Sequence, residues 1–329
     1  MSAGAGVDRR AGLRLVAIGD LLVDVVARPA NGLAGISHGS DTAAAIVLAP
    51  GGSAANFTVR AARLGADCAL IGAVGDDRAG RWLLEDLRRE GVDTAGVAVL
   101  PVADPAADGT GMLVSLVDPS GERSMLVHKG ANRRLRPEHV RAGFFSGPGL
   151  VHLTGYSFFE EGPRPAAMWA LALAREAGWR ISLDPSSRAP LIAHGPRRLL
   201  EDTAPLDFLL PNRDEAAVLS GEEDPAKACR ALLRWAEVVA VKLGPDGCLL
   251  ATRASAGSST AAGATGSTAA GDATSIPTPE FLTITDSTGA GDAFDAGFLA
   301  AIARGSPPAE AAIAGNRAAA EAVRALGAR

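Results

Sequence analysis

Asp286-Ser287-Thr288-Gly289-Ala290-Gly291-Asp292 is the segment whose residue types and spacing point most directly to chemistry. Phe294, Phe298 and Ile302 follow at i, i+4 and i+8, so a helix is predicted to begin near Asp292 with one apolar stripe facing a core. Gly289, Ala290 and Gly291 then present backbone N–H groups at a helix N-terminus. Such groups bind phosphate and stabilise charge developing on a transferring phosphoryl group. A carboxylate at 292 is placed to take a proton from an attacking hydroxyl. The plainer alternative is that Asp292 only caps a helix after a glycine turn. Two familiar nucleotide motifs are excluded: GxGxxG from Gly289 would need glycine where Phe294 stands, and no Gly-Lys pair exists for a Walker A loop.

A second glycine-rich segment, Gly51-Gly52-Ser53-Ala54-Ala55-Asn56, leads into another helical stretch. Its glycines let the backbone hinge or pass close to a ligand. Asn56, one turn in, offers a donor and an acceptor to a sugar hydroxyl, unless the segment is an ordinary turn before a helix.

The elements that must position these groups follow from hydrophobic patterning. Short apolar runs at 15–19, 69–75, 150–155, 181–184, 208–211 and 238–244 read as central strands of a parallel sheet. Helical spacing lies between them at 54–64, 79–90, 166–177, 214–219 and 226–236, which implies right-handed βαβ units. In such sheets ligands sit outside the carboxyl ends of the strands. The residues there are Asp20, Asp24, Asp76, Asp77, Thr154, Asp184, Asn212, Glu215, Lys242 and Gly244. Carboxylates outnumber cations, which suits hydroxyl recognition and a hydrated metal.

Residues 40–49 and 111–127 break the alternation and read as extended. The second is a hairpin around Asp118-Pro119-Ser120-Gly121, and together they suggest a small β lid covering a ligand. Residues 254–278, rich in Ala, Gly, Ser and Thr, read as a disordered insertion.

Composition bounds the function. The 329 residues are 47% hydrophobic and 21% charged, with a net charge of −5, which argues against holding nucleic acid or an anionic membrane electrostatically. Of 32 basic residues only Lys129, Lys227 and Lys242 are lysine. Cys68, Cys229 and Cys248 show no metal-ligand spacing and read as reduced core thiols. Leu15 to Ala27 is broken by Asp20 and Asp24 and is too short to span a membrane, so a cytoplasmic location is expected.

Together these segments resemble the PfkB family of carbohydrate kinases. Gly51 to Gly65, with Gly72, Gly75, Asp76 and Gly80, looks like its N-terminal signature, and Asp286 to Gly297 like its C-terminal one. Asn212-Arg213-Asp214-Glu215 is similar to the family's Asn-x-x-Glu motif, and Lys242 to Gly247 to its nucleotide-side glycine turn. The resemblance implies an α/β, ribokinase-like three-layer αβα fold with a mostly parallel central sheet. It implies one kinase domain over 13–329, a β lid at about 28–50 and 109–130, the insertion at about 254–278, and a flexible tail at 1–12.

The same resemblance implies roles. Asp292 becomes the catalytic base, with the N–H groups of Gly289, Ala290 and Gly291 as anion hole. Asp24, Gly51, Gly52 and Asn56 would hold substrate hydroxyls, and Asn212, Lys242, Gly244, Gly247 and Asn316 the ATP side. Glu215 would meet Mg²⁺ through water, and Asp286, Thr288, Ala322, Ala325 and Gly327 match a monovalent cation site for K⁺.

The expected activity is transfer of the γ-phosphoryl group of ATP to a hydroxymethyl group of a small sugar. The alternatives are an adenosine-like nucleoside kinase and a non-catalytic ligand-binding homologue. Two departures stand out: Leu22 replaces a substrate-binding asparagine of ribokinases, and Ser186 replaces an asparagine after Asp184-Pro185. A homodimer through the lid is a further expectation.

Overall fold

The computed structural model describes residues 12–119, 123–253, 272–279 and 287–324. Its strands, in chain order, begin with β1 (Arg14–Ile18), β2 (Leu22–Pro29), β3 (Ala44–Gly51), β4 (Cys68–Gly75) and β5 (Asp93–Leu100). There follow β6 (Met112–Val117), β7 (Arg123–His128), β8 (Gly149–Thr154), β9 (Arg180–Asp184) and β10 (Leu206–Leu209). The last are β11 (Ala236–Lys242), β12 (Cys248–Thr252) and β13 (Thr274–Ile276).

Nine strands form one sheet in the order β13-β12-β11-β10-β9-β8-β1-β4-β5. From β11 to β5 every pairing is parallel, and β12 and β13 close one edge antiparallel. The nearly continuous apolar strands are explained by burial on both faces. Along β1, Leu15 and Ala17 enter one core and Val16 and Ile18 the other, all four fully buried. Each large side chain so buried contributes roughly 1.5–3 kcal/mol.

Helices Ser53–Arg63, Arg78–Arg89 and Ala290–Ala303 pack into the Leu15 face, and Arg164–Glu176, Pro196–Thr203 and Arg213–Ser220 into the Val16 face. This is the helix–sheet–helix layering that the strand and helix alternation implies. The three cysteines are free and buried. No described helix is long and apolar enough to cross a membrane.

A second sheet, β3-β2-β6-β7, stands off the first. It is mixed, because β2 pairs parallel with β6 while β3 and β7 pair antiparallel. Register sorts its two faces. Ala49, Asp24, Leu113 and Val127 form one cross-strand row, and Leu48, Val25, Val114 and Leu126 form the next, on the opposite face.

Three boundaries differ from expectation. The lid begins at Leu22 rather than near residue 28, because β2 follows β1 after only three residues and its alternation is interrupted by Asp24. The helix expected over 226–236 runs Pro225–Leu232, and Ala236 already belongs to β11. Thr274–Ile276, counted with the low-complexity insertion, instead pairs with β12. Residues 1–11 of the tail and 254–271 of the insertion lie outside the described residues.

Candidate active site

A cleft of about 1020 Å³ opens between the lid and the carboxyl ends of the parallel strands. It brings together Asp24, Gly52, Asn56, Asn212, Glu215, Lys242, Gly244, Gly247, Thr288, Gly289, Ala290, Gly291, Asp292 and Asn316. Gly51 backs this wall, since a Cβ there would lie 2.3 Å from the Asp24 carboxyl group. Ala322 is buried, and Asp286, Ala325 and Gly327 lie outside the described residues.

Helix Ala290–Ala303 starts two residues before Asp292. Its N-cap, Gly289, takes the left-handed conformation at φ 73°, which glycine adopts without strain. Phe294 and Phe298, stacked at 6.1 Å, anchor the helix in the core. Gly291 and Asp292 fall in the first turn, whose N–H groups have no carbonyl partner inside the helix. The Ala290 N–H instead turns back on the Ser287 carbonyl at 3.3 Å.

Asp292 is held from the neighbouring helix N-terminus. Ser53 Oγ donates to its Oδ1 at 2.7 Å and Asn56 Nδ2 to its Oδ2 at 3.1 Å. Burial pushes the carboxyl up to about 6 against those two hydrogen bonds, with nearby Asp184 pushing the same way. Sequence reasoning missed Ser53, which looks like any small residue after two glycines. Gly52 sets the geometry: at φ 99°, any Cβ there would lie 2.2 Å from the Asp20 carbonyl oxygen.

At the lid end, Asp20 and Lys129 form an ion pair, and the Lys129 ammonium lies 4.5 Å from the centre of the Tyr156 ring. Asn132 staples the two stalks of the lid, accepting from Leu21 N at 3.0 Å and donating to Leu21 O at 2.8 Å. Tyr156, Phe158 and Phe159 line the cleft together with lid residues Leu113, Met125 and Val127.

At the other end, Asn212 and Glu215 form a capping box. Asn212 Oδ1 accepts from Glu215 N and Glu215 Oε2 from Asn212 N, both at 2.9 Å. Burial raises Glu215 to about 7, with Asp184 adding to the rise. Asn316 Nδ2 donates to the carbonyls of Ile276 and Pro277 at 2.9 and 3.2 Å, so it fixes the β13 edge beside Gly247. Lys242 Nζ lies between Asp184 and Asp295.

The donors bear on a divalent cation. Among the described residues no three carboxylate, imidazole or thiolate side chains meet as a metal cage. Glu215 nevertheless lines the cleft with lone pairs to spare beyond its bonds from Asn212. That fits Mg²⁺, which keeps several waters and is held by one or two carboxylates and a nucleotide's phosphates.

A stand-off lid, a carboxylate at a glycine-capped helix N-terminus and a cleft at the strand ends are the parts that phosphoryl transfer to an alcohol group requires. The pfkB family carbohydrate kinase model matches residues 13–329, and the chain belongs to that family. It is 32% identical over 270 residues to an uncharacterized sugar kinase of Archaeoglobus fulgidus, covering 81% of this chain and 95% of that protein. Adenosine kinase from Sinorhizobium meliloti superposes with a TM-score of 0.81 at 26% identity, covering 97% and 96% of the two chains. A putative ribokinase II from E. coli, solved in complex with ATP and Mg²⁺, gives 0.78 at 25% identity, covering 96% and 94%. The fold is ribokinase-like, and the chain is a sugar kinase of the PfkB family.

Proposed function

We propose that this kinase transfers the γ-phosphoryl group of ATP to a hydroxymethyl group of a small carbohydrate, with Asp292 as general base. The observation that carries the reading is the carboxyl of Asp292, oriented by Ser53 and Asn56 beside the first-turn N–H groups of its own helix. The acceptor oxygen forms its bond to the γ-phosphorus as the bond to the β-bridging oxygen breaks. The electron pair leaves with ADP, and the hydroxyl proton passes to Asp292. The turn Gly289–Gly291 meets the charge on the transferring group, the main requirement of phosphoryl transfer.

Asp24 and Asn56, with Gly51 and Gly52 shaping the wall, hold acceptor hydroxyls. Asn212, Lys242, Gly244, Gly247 and Asn316 line the ATP side. Glu215 would hold the waters of Mg²⁺, which neutralises phosphate charge when bound. The lid excludes water, so that ATP is not hydrolysed instead. A cytoplasmic location belongs to the same proposal, as does K⁺ activation, tested by turnover in KCl against a large organic cation salt.

A coupled ADP-release screen over ribose, fructose, fructose phosphates, ketodeoxy sugars and nucleosides tests the reading. Turnover dependent on one sugar supports it, and ADP release from no acceptor overturns it. The nucleoside reading is favoured by one observation: Met125 and Val127 of the lid line the same cleft as Tyr156 and Phe159, apolar surfaces suited to a base. The absence of an aromatic residue on the described lid strands favours the sugar. A lid-to-lid homodimer is also proposed, because Ile46, Leu48 and Leu126 are 64%, 60% and 64% exposed, and light scattering reads its mass.

A further inference from the structure

The least explained group in the molecule is a cluster of buried charge directly behind the glycine turn. Lys242, at the end of β11, is only 11% exposed in its side chain, and Asp295 is fully buried. Its Nζ lies 3.2 Å from Asp184 Oδ2 and 3.1 and 3.2 Å from the two oxygens of Asp295. Asp295 is on the same helix as Asp292, three residues on. It is the one charged side chain in a stretch, Ala293 to Ala303, that is otherwise entirely apolar and buried.

Stability does not account for this arrangement. Replacing a buried ion cluster by apolar side chains of similar volume is often neutral or stabilising. The surrounding core of Ala, Val and Phe shows that apolar packing was available here. Position does account for it: a Cβ on Gly291 would lie 3.6 Å from the Lys242 Nζ, so the ammonium sits against the turn. An ammonium has three donors, and two directions are taken by Asp184 and Asp295. Its only hydrogen-bond partners among the described residues are these two carboxyl groups, Glu215 adds a longer-range attraction, and the side chain lines the cleft. Burial opposes the charge on Lys242, but Asp184, Asp295 and Glu215 together outweigh it and keep the ammonium protonated, its pKa raised.

We propose that Lys242, tethered by Asp184 and Asp295, is a fixed cation of the transfer step, and that Asp295 is a positioning residue that keeps the ammonium beside Gly291. The inference rests on the kinase reading above and goes beyond a lysine that merely contacts ATP. A tethered charge cannot follow the nucleotide as it binds, so its interaction is strongest where negative charge develops during transfer.

The experiment compares wild type, Lys242→Met, Asp295→Ala, Asp295→Asn and the double variant Lys242→Met/Asp295→Leu, each by turnover, KM for ATP and thermal melting. Lys242→Met is expected to lower kcat on the order of 100-fold with KM for ATP changed less than about threefold. Asp295→Ala should fall similarly, while Asp295→Asn, which still accepts from Nζ, recovers most of the rate. The double variant removes the ammonium and Asp295 together and leaves one buried carboxylate, Asp184, without its cation, so it should melt above Lys242→Met while turnover stays low. A double variant that regains wild-type turnover overturns the proposal, as does a loss confined to KM for ATP. A wild-type protein that binds ATP but phosphorylates no acceptor overturns the kinase reading, and this inference with it.

Discussion

Ser53 Oγ lies 2.7 Å from Asp292 Oδ1, joining positions 239 residues apart at the N-termini of two adjacent helices. The hydroxyl fixes the carboxylate and favours its ionised form, against burial that favours the neutral one. The balance leaves Asp292 at about 6, where a base is ionised at neutral pH yet still accepts a proton readily.

The first prediction concerns that balance. The rate should rise with pH through about 6 as Asp292 loses its proton. Ser53→Ala removes a donor to the ionised form, so the acidic limb should move to higher pH. A profile of kcat/KM from pH 5 to 9 measures it, and an unmoved limb contradicts the assignment.

Asp292→Asn separates chemistry from stability. Turnover should fall on the order of 10²- to 10⁴-fold with nucleotide binding little changed. Stability should move the other way. The folded-state carboxyl titrates above its unfolded value of 3.8, so the folded protein binds the extra proton between those values and loses stability as pH rises through about 6. The neutral amide escapes that loss. Asp292→Asn should therefore melt higher than wild type at pH 8, with the gap closing towards pH 4.

Gly51→Ala tests how the acceptor end is shaped. The new methyl group would meet the Asp24 carboxyl group at 2.3 Å, and β2 and β3 are locked in register at Leu22 and Gly51, so the carboxyl must move. KM for the acceptor should rise about tenfold or more, with KM for ATP unchanged. Steady-state kinetics with each substrate varied in turn gives both constants.

Much of this site was legible in the sequence because parallel strands advertise themselves. An apolar run buried on both faces ends in polar residues at the carboxyl ends of the strands, and that rule pointed to Asp184, Asn212, Glu215 and Lys242, whereas Asp24 lies within lid strand β2. Partnerships were not legible. Lys129 meets Asp20 across 109 residues and Lys242 meets Asp295 across 53, distances over which periodicity says nothing. One signal was present: an aspartate within an otherwise apolar helix calls for a buried polar partner, although its identity could not be read from the sequence. The lid's first strand escaped for a different reason, since Asp24 interrupts Leu22–Pro29 and the strand follows β1 after only three residues.

Ser186 supplies the last prediction. It is the only non-glycine among the described residues with positive φ, at 74°, directly after the Asp184-Pro185 strand end, and it lines the cleft. Asn and Gly tolerate this conformation far better than serine does. The strain is retained because Ser186 N donates to Asp184 Oδ1 at 2.8 Å, helping to hold the carboxylate that in turn holds Lys242. Ser186→Gly should keep that bond, which is made by the backbone, and release about 1 kcal/mol of strain. In denaturant unfolding the midpoint should rise at unchanged m-value. A midpoint that falls would mean instead that the hydroxyl, which donates to the Asp184 carbonyl at 3.2 Å, contributes more than the backbone strain costs.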